Sequence, residues 1–207
     1  PPGCYLDAAA ILRRQLLAYS LDRWVTSGID LQALPRKLKP VLDAVEQASK
    51  QESRNDRFPY SWLSWCETQQ GELVERFLSL FDQSITETSR QSLREVFLNR
   101  SNSPFNAPFA QELIERLEQL FVERKRLGNE AKRLREKFNK FHQQGEALTE
   151  QQQDDKDQIY REQKAYAALK KELESRQLLA MLTDEGFLPN YAFPEAGVTL
   201  KSVLWRK

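Results

Sequence analysis

The chain of 207 residues carries 31 Lys and Arg against 30 Asp and Glu, a formal net charge of +1, with 29% charged residues, 40% hydrophobic residues and only 7 Gly. So even a balance excludes any argument from bulk basicity, and an acidic partner has to be met by a local patch. Two cysteines without a CxxC and a single histidine leave no zinc site to this chain alone, and no run approaches the roughly 18 apolar residues of a membrane span.

No basic-then-apolar leader precedes Cys4, so the expected location is cytoplasmic, with reduced thiols. The chain opens on Pro1-Pro2-Gly3 rather than an initiator methionine, and it is expected to be a piece of a longer polypeptide.

Asp7 is placed to cap a first helix running to about Thr26. Leu12, Leu16 and Tyr19 form one apolar row and Leu17, Leu21 and Trp24 a second, a stripe broad enough for a helix largely covered by others. Arg13, Arg14 and Arg23 are left for water, acidic partners or phosphate. Ser27-Gly28 ends this helix, and a second is expected from Pro35 or Pro40 to Ser49 on Leu42, Val45 and Ala48.

The polar stretch Gln51 to Arg57 reads as a loop, and Phe58-Pro59-Tyr60 opens a third helix that carries Trp62, Leu63, Trp65, Cys66, Leu73, Phe77, Leu78 and Phe81. Gly71 in its middle costs about 1 kcal/mol relative to alanine and marks a place for a kink. Thr88 with Gln91 reads as a capping box before a fourth helix to about Leu98, and Asn99 to Ala107, followed by Pro108, is the clearest loop.

From Pro108 to Asp184 the pattern predicts two long helices folded back on each other around Gly145. Leu117, Leu120, Leu127, Ala131, Leu134, Phe138 and Phe141 alternate steps of three and four, with Arg124 at a charged seam position. Ile159, Tyr166, Leu169, Leu173 and Ala180 keep that rhythm on the return, with Glu162 and Arg176 at polar seam positions. Thr149 to Gln152 reads as a capping box for the return helix. Beyond Asp184-Glu185-Gly186, residues 187–194 are expected to lie extended over the base, and Val198 to Trp205 to form a strand-like end that continues into a neighbouring domain. The expected architecture is all-α: a helical base over 1–107, a projecting antiparallel coiled-coil arm over 108–184, and a short extended tail over 185–207.

No catalytic set stands: there is no Gly-rich phosphate loop, GxSxG or HExxH. His142 reads as an exposed helix-end residue, and Asp154, Asp155 and Asp157 as acids answering the macrodipole. The run Arg124, Lys125, Arg126, Lys132, Arg133, Arg135, Lys137 and Lys140, diluted by Glu123, Glu130 and Glu136, has two readings. It is a stripe tracking a nucleic-acid backbone, or a solvated surface paired with return-arm acids such as Glu162, Glu172 and Glu174. Charge alone favours the second.

Pro2-Gly3-Cys4-Tyr5-Leu6-Asp7-Ala8, followed by Ile11-Leu12-Arg13-Arg14-Gln15, resembles a segment that follows the motor core in very large bacterial DEAD/DEAH-box-like (superfamily-two) helicases. Gly186-Phe187-Leu188-Pro189-Asn190-Tyr191-Ala192-Phe193-Pro194 resembles the LPxYxFP segment that precedes their C-terminal four-cysteine metal domain. These helicases include MrfA-like repair enzymes and the long helicases of anti-phage defence islands such as DISARM and Druantia. The resemblance implies an ATP-driven motor acting on DNA, of which this chain, lacking the ATP-binding residues and the four cysteines, is a non-catalytic accessory region without a cofactor. The implied partners are DNA, the parent's helicase core and four-cysteine domain, and a protein at the arm's tip. Expected phosphate contacts are Arg124, Arg126, Lys132, Arg133 and Lys137, with Arg13 and Arg14 second. The rival expectation is a protein-interaction or self-association module with no nucleic-acid binding.

Overall fold

The structure, a computed structural model, describes residues 8–28, 33–50, 56–81, 85–143 and 148–190. They form the helices α1 Ala8–Thr26, α2 Leu38–Lys50, α3 Tyr60–Leu78, α4 Glu87–Glu95, α5 Pro108–Gln143, α6 Glu150–Ser175 and α7 Leu178–Asp184, with a 3-10 turn Ser79–Phe81 after α3. Among the described residues the protein is all-α, and its one β-type contact is an isolated bridge between Lys37 and Gln177. The Asp7 cap, Cys4, the turn at Gly145 and the strand-like end from Val198 lie outside the described residues.

Aromatic side chains organise the base. The Trp62 ring stacks on Phe58 with centroids 5.7 Å apart and meets the edge of Phe109 at 5.1 Å. Phe109 in turn touches Phe97 and Phe187, so α3, the segment after α4, the first turn of α5 and the chain after α7 converge on one point. Leu16, Leu17, Leu21 and Trp24 of α1 and Leu38, Val41, Leu42 and Val45 of α2 complete this core. Each such side chain contributes about 1.5–3 kcal/mol of transfer free energy when fully buried. Leu113, Leu117 and Leu120 belong to the same cluster, so the first third of α5 is rooted in the base.

α3 passes unbroken through Gly71, which is exposed and has nothing within 4 Å of where a Cβ would sit. α4 begins earlier than expected: Thr86, not Thr88, is the extended residue whose hydroxyl accepts from the Ser89 amide at 3.3 Å. Thr88 lies within the helix.

The larger departure is in the return helix, expected to run to Asp184. It breaks at Arg176, where ψ is 137°. There the Arg176 carbonyl accepts from the Leu38 amide at 2.9 Å, and the Leu178 amide donates to the Arg36 carbonyl at 2.9 Å. Two helical hydrogen bonds are thereby exchanged for two to the segment before α2, and the new direction turns Leu178, Met181 and Leu182 of α7 into the core at 0% exposure. Past α7, Gly186 takes a φ of 80°, and the amides of Phe187 and Leu188 both donate to the Leu182 carbonyl. Both side chains are buried on the base; the predicted tail from Tyr191 onward lies outside the described residues.

α5 and α6 lie antiparallel, since Arg124 reaches Glu174, Gly128 faces Lys170 and Phe138 meets Tyr160. At the helical rise, the 36 residues of α5 extend about 54 Å. The expected capping box starts α6: the Gln152 amide donates to Thr149 Oγ1 at 3.2 Å, and the Thr149 amide to Gln152 Oε1 at 3.0 Å. The expected α5 seam is covered at every position, whereas α6 keeps Ile159, Tyr166 and Leu173 of its expected stripe but covers Gln163 and Lys170 where Glu162 and Leu169 were expected. Lys156, Ile159, Gln163, Tyr166, Lys170 and Leu173 are covered, while Glu162 is exposed and Leu169 is 49% exposed. Opposite Gly128 the space is filled by the Lys170 stem, whose Cδ lies 3.7 Å from an ideal glycine Cβ, and an apolar stem of this kind covers a seam as a leucine does. Ala180, expected on the same stripe, sits exposed on α7.

Candidate nucleic-acid interface

The cations of the helix pair sort into three environments. Arg124 occupies a seam position of α5 where α2 and α6 also arrive, and it is 6% exposed. Its Nη1 donates to Asp43 Oδ1 at 2.6 Å, and its Nη2 to Glu46 Oε2 at 3.0 Å and to the Leu42 carbonyl at 3.3 Å. Glu174 of α6 stands 3.8 Å away, and the Phe121 ring lies beneath the guanidinium at 5.6 Å. A planar fork of five donors is suited to this convergence, where a single ammonium is not. Burial works to raise the Asp43 carboxyl, but hydrogen bonds from Lys39 and Arg124 outweigh it and hold the group below its ordinary range. The Lys50 hydrogen bond, with help from Arg124, holds Glu46 low as well. The expectation of a phosphate contact at Arg124 is therefore corrected: its donors face carboxylates and a carbonyl inside the protein.

On one side of the pair, Arg126 grips Glu123 through two hydrogen bonds of 2.8 and 2.7 Å, and Arg133 grips Glu130 at 3.0 and 2.8 Å. The pairing is with the preceding turn of α5, not with the return-helix acids. Among the described residues, of those acids only Glu174 lies within ion-pair range of a cation, meeting Arg124 and Lys170. Lys137, one turn beyond Arg133, is exposed and makes no ion pair among the described residues.

The other side is different. Phe138 of α5 meets Tyr160 of α6 with centroids 5.5 Å apart, and His142 lies within 6° of parallel to Phe138 at 6.5 Å. The Lys156 ammonium sits 5.4 Å from the Phe138 centroid and that of Lys164 5.4 Å from Tyr160. Arg135 lies three and Lys132 six residues before Phe138, which at about 100° per residue puts both on the flank of α5 away from Arg126 and Arg133. Lys132 has only a loose contact with Glu136 at 3.9 Å, and Arg135, Lys156 and Lys164 have no carboxylate in ion-pair range among the described residues. Tyr160 is 46% exposed.

Of the two further candidates on α1, Arg13 is joined to Glu112 of α5 at 2.6 Å, and Arg14 is exposed with its guanidinium near Gly186. Both lie on the base, away from the outer cations. Asp155 and Asp157 accept hydrogen bonds from Gln151 and Gln153 one turn earlier, and no cluster among the described residues could hold a metal ion. Cys66 is a free thiol buried in the core, and burial pushes its pKa up. No helix among the described residues is long and apolar enough to cross a membrane.

The ring cluster was not anticipated from sequence because Tyr160 is off the heptad, one residue past the seam position Ile159. A signal was present: Lys156, Tyr160 and Lys164 are spaced four apart, which stacks two lysines and an aromatic on one helical row. No family model matches the sequence, and no curated protein or solved structure matches it.

Proposed function

We propose that this chain is a non-catalytic accessory region of a large ATP-dependent DNA helicase of phage defence or DNA repair, acting in the cytoplasm, and that its α5/α6 arm contacts the nucleic-acid backbone. The helicase setting rests on the resemblance of residues 2–15 and 186–194 to segments of those enzymes. The observation that carries the contact is the concentration of weakly partnered cations on one side of the arm, against Lys137, unpaired among the described residues, beside the two bound arginines on the other. Lys132, Arg135, Lys156 and Lys164 point along a side without a strong carboxylate partner, whereas Arg126 and Arg133 on the other are each bound by a glutamate. A phosphate has to displace no bidentate ion pair to reach the first set.

The test is binding of labelled duplex and single-stranded DNA across a salt series. The expected slope of log affinity against log salt falls by about 0.7–0.9 for each contact removed when Lys132, Arg135 and Lys164 become glutamine, and stays put for Arg126→Gln with Arg133→Gln. Affinity unchanged by the first set removes the arm from the DNA path. No binding at low salt, together with concentration-dependent dimers in sedimentation, replaces the reading with a self-association module.

A further inference from the structure

We propose that the outer end of the α5/α6 pair is a stacking platform for the bases of single-stranded nucleic acid, formed by Tyr160, Phe138 and His142 with Lys156 and Lys164 over two of the rings. The inference rests on the backbone-contact reading and adds to it which form of nucleic acid the arm takes.

Three rings from two helices meet at a place where solvent is accessible on one side. Ile159, at 7% exposure, supplies the apolar contact that the seam needs at this level, so the adjoining Tyr160 is not required to fill it and stays 46% exposed. The Phe138 and Tyr160 planes are inclined at 43°, and His142, exposed at the end of α5, continues the row parallel to Phe138. Such faces accept a base of any identity, because every base has a π-face. In a duplex the bases are stacked inside and offer the rings nothing; splayed single-strand bases do.

The charges fit the same occupant. Lys156 and Lys164 lie over the ring faces at 5.4 Å, a weak attraction at an exposed site. A base that takes the ring face releases the ammonium to the phosphates beside it. Arg135 and Lys132 lie three and six residues before Phe138, steps of about 4.5 Å along the helix axis, so their long side chains offer the strand's backbone a row of cations beside the rings. Of the carboxylates closest in sequence, Asp155, Asp157 and Glu162 accept hydrogen bonds from Gln151, Gln153 and Gln158, and Glu136 stands 3.9 Å from Lys132, so none grips Arg135, Lys156 or Lys164. On the opposite side, among the described residues, Glu123 and Glu130 bind the two arginines and Lys137 is exposed without an ion pair, and no aromatic pair like Phe138 with Tyr160 accompanies it.

The experiment compares binding of the full chain to oligothymidylate, to an abasic strand of equal length and to a duplex, for the wild type, Tyr160→Leu and Tyr160→Phe. Leucine keeps an apolar partner for Phe138 and removes the π-face, and circular dichroism verifies that each variant is as helical as the wild type. The wild type is expected to prefer oligothymidylate over the abasic strand and the duplex by at least about fivefold. Tyr160→Leu loses that preference with its salt slope unchanged, and Tyr160→Phe keeps it. Equal affinity for the abasic strand, a duplex preference, or a leucine variant that retains the preference overturns the platform and leaves the backbone contact standing. Loss of all binding at low salt overturns both.

Discussion

Arg124 and Arg135 stand three turns apart on one helix and carry the same charge, yet the protein uses them oppositely. At the root, three carboxylates and a carbonyl from α2 and α6 close over Arg124 and leave it 6% exposed. At the outer end, among the described residues, α5 packs only against α6, no carboxylate comes within ion-pair range of Arg135, and Tyr160 nearby is 46% exposed. A cation becomes structural where several elements converge with acids, and stays available where only two helices meet. Sequence spacing puts Arg124 on the seam and Arg135 off it, but does not say that acids of α2 meet Arg124 there.

The largest effect is expected beneath the root. Trp62→Ala removes the ring between Phe58 and Phe109 and should destabilise the chain by about 3–5 kcal/mol in urea unfolding followed by helicity. The comparison itself is broken by Arg124→Met, which leaves Asp43, Glu46 and Glu174 without their shared partner. Because those carboxylates keep some contact with water, the loss should be about 2–3 kcal/mol, below that of a fully buried pair. Arg135→Met should change stability by less than about 0.5 kcal/mol. Equal effects at the two sites would erase the distinction.

Acid probes the same root more gently. The folded Asp43 carboxyl titrates below its ordinary value of 3.8, so its contribution is fully present above that value and is lost as pH falls through the lower one. Melting temperatures measured from pH 7 downward should therefore show the Arg124-dependent part of stability persisting to pH 4. Its loss between pH 6 and 5 would contradict the pairing.

Smaller effects sharpen the outer end. Thr149→Ala removes the hydroxyl half of the capping box and should cost about 1 kcal/mol, read as fraying of α6 in amide exchange. Gly128→Ala and Gly71→Ala should each stabilise by about 0.5–1 kcal/mol in thermal melts. The first meets only the Lys170 stem at ordinary contact distance and the second meets nothing.

Much of the fold was legible because its causes are local. The Thr149–Gln152 cap, the stop at Gly28 and the Gly186 turn depend on residues within a few positions of one another, and each is where the pattern placed it. The α5 stripe was equally readable, as periodic leucines admit one buried side. The α6 stripe was readable only in part: Ile159, Tyr166 and Leu173 are covered as expected, but Leu169, with the right spacing, is half exposed and the room beside Gly128 is filled by Lys170 instead. The break at Arg176 was silent too, since it is made by hydrogen bonds to Arg36 and Leu38, far away in the chain.

For the candidate interface, sequence by itself determined that basic residues crowd α5, that no catalytic motif accompanies them, and that aromatics and lysines share the outer turns. Beyond the local i,i+3 pairs, tertiary structure decided which cations are free. It drew Arg124 into the base, left Arg126 and Arg133 with their own glutamates, and brought Phe138 of one helix against Tyr160 of the other. The physical reason is that a side chain's charge is intrinsic, whereas its desolvation and its partners depend on which distant segments arrive beside it.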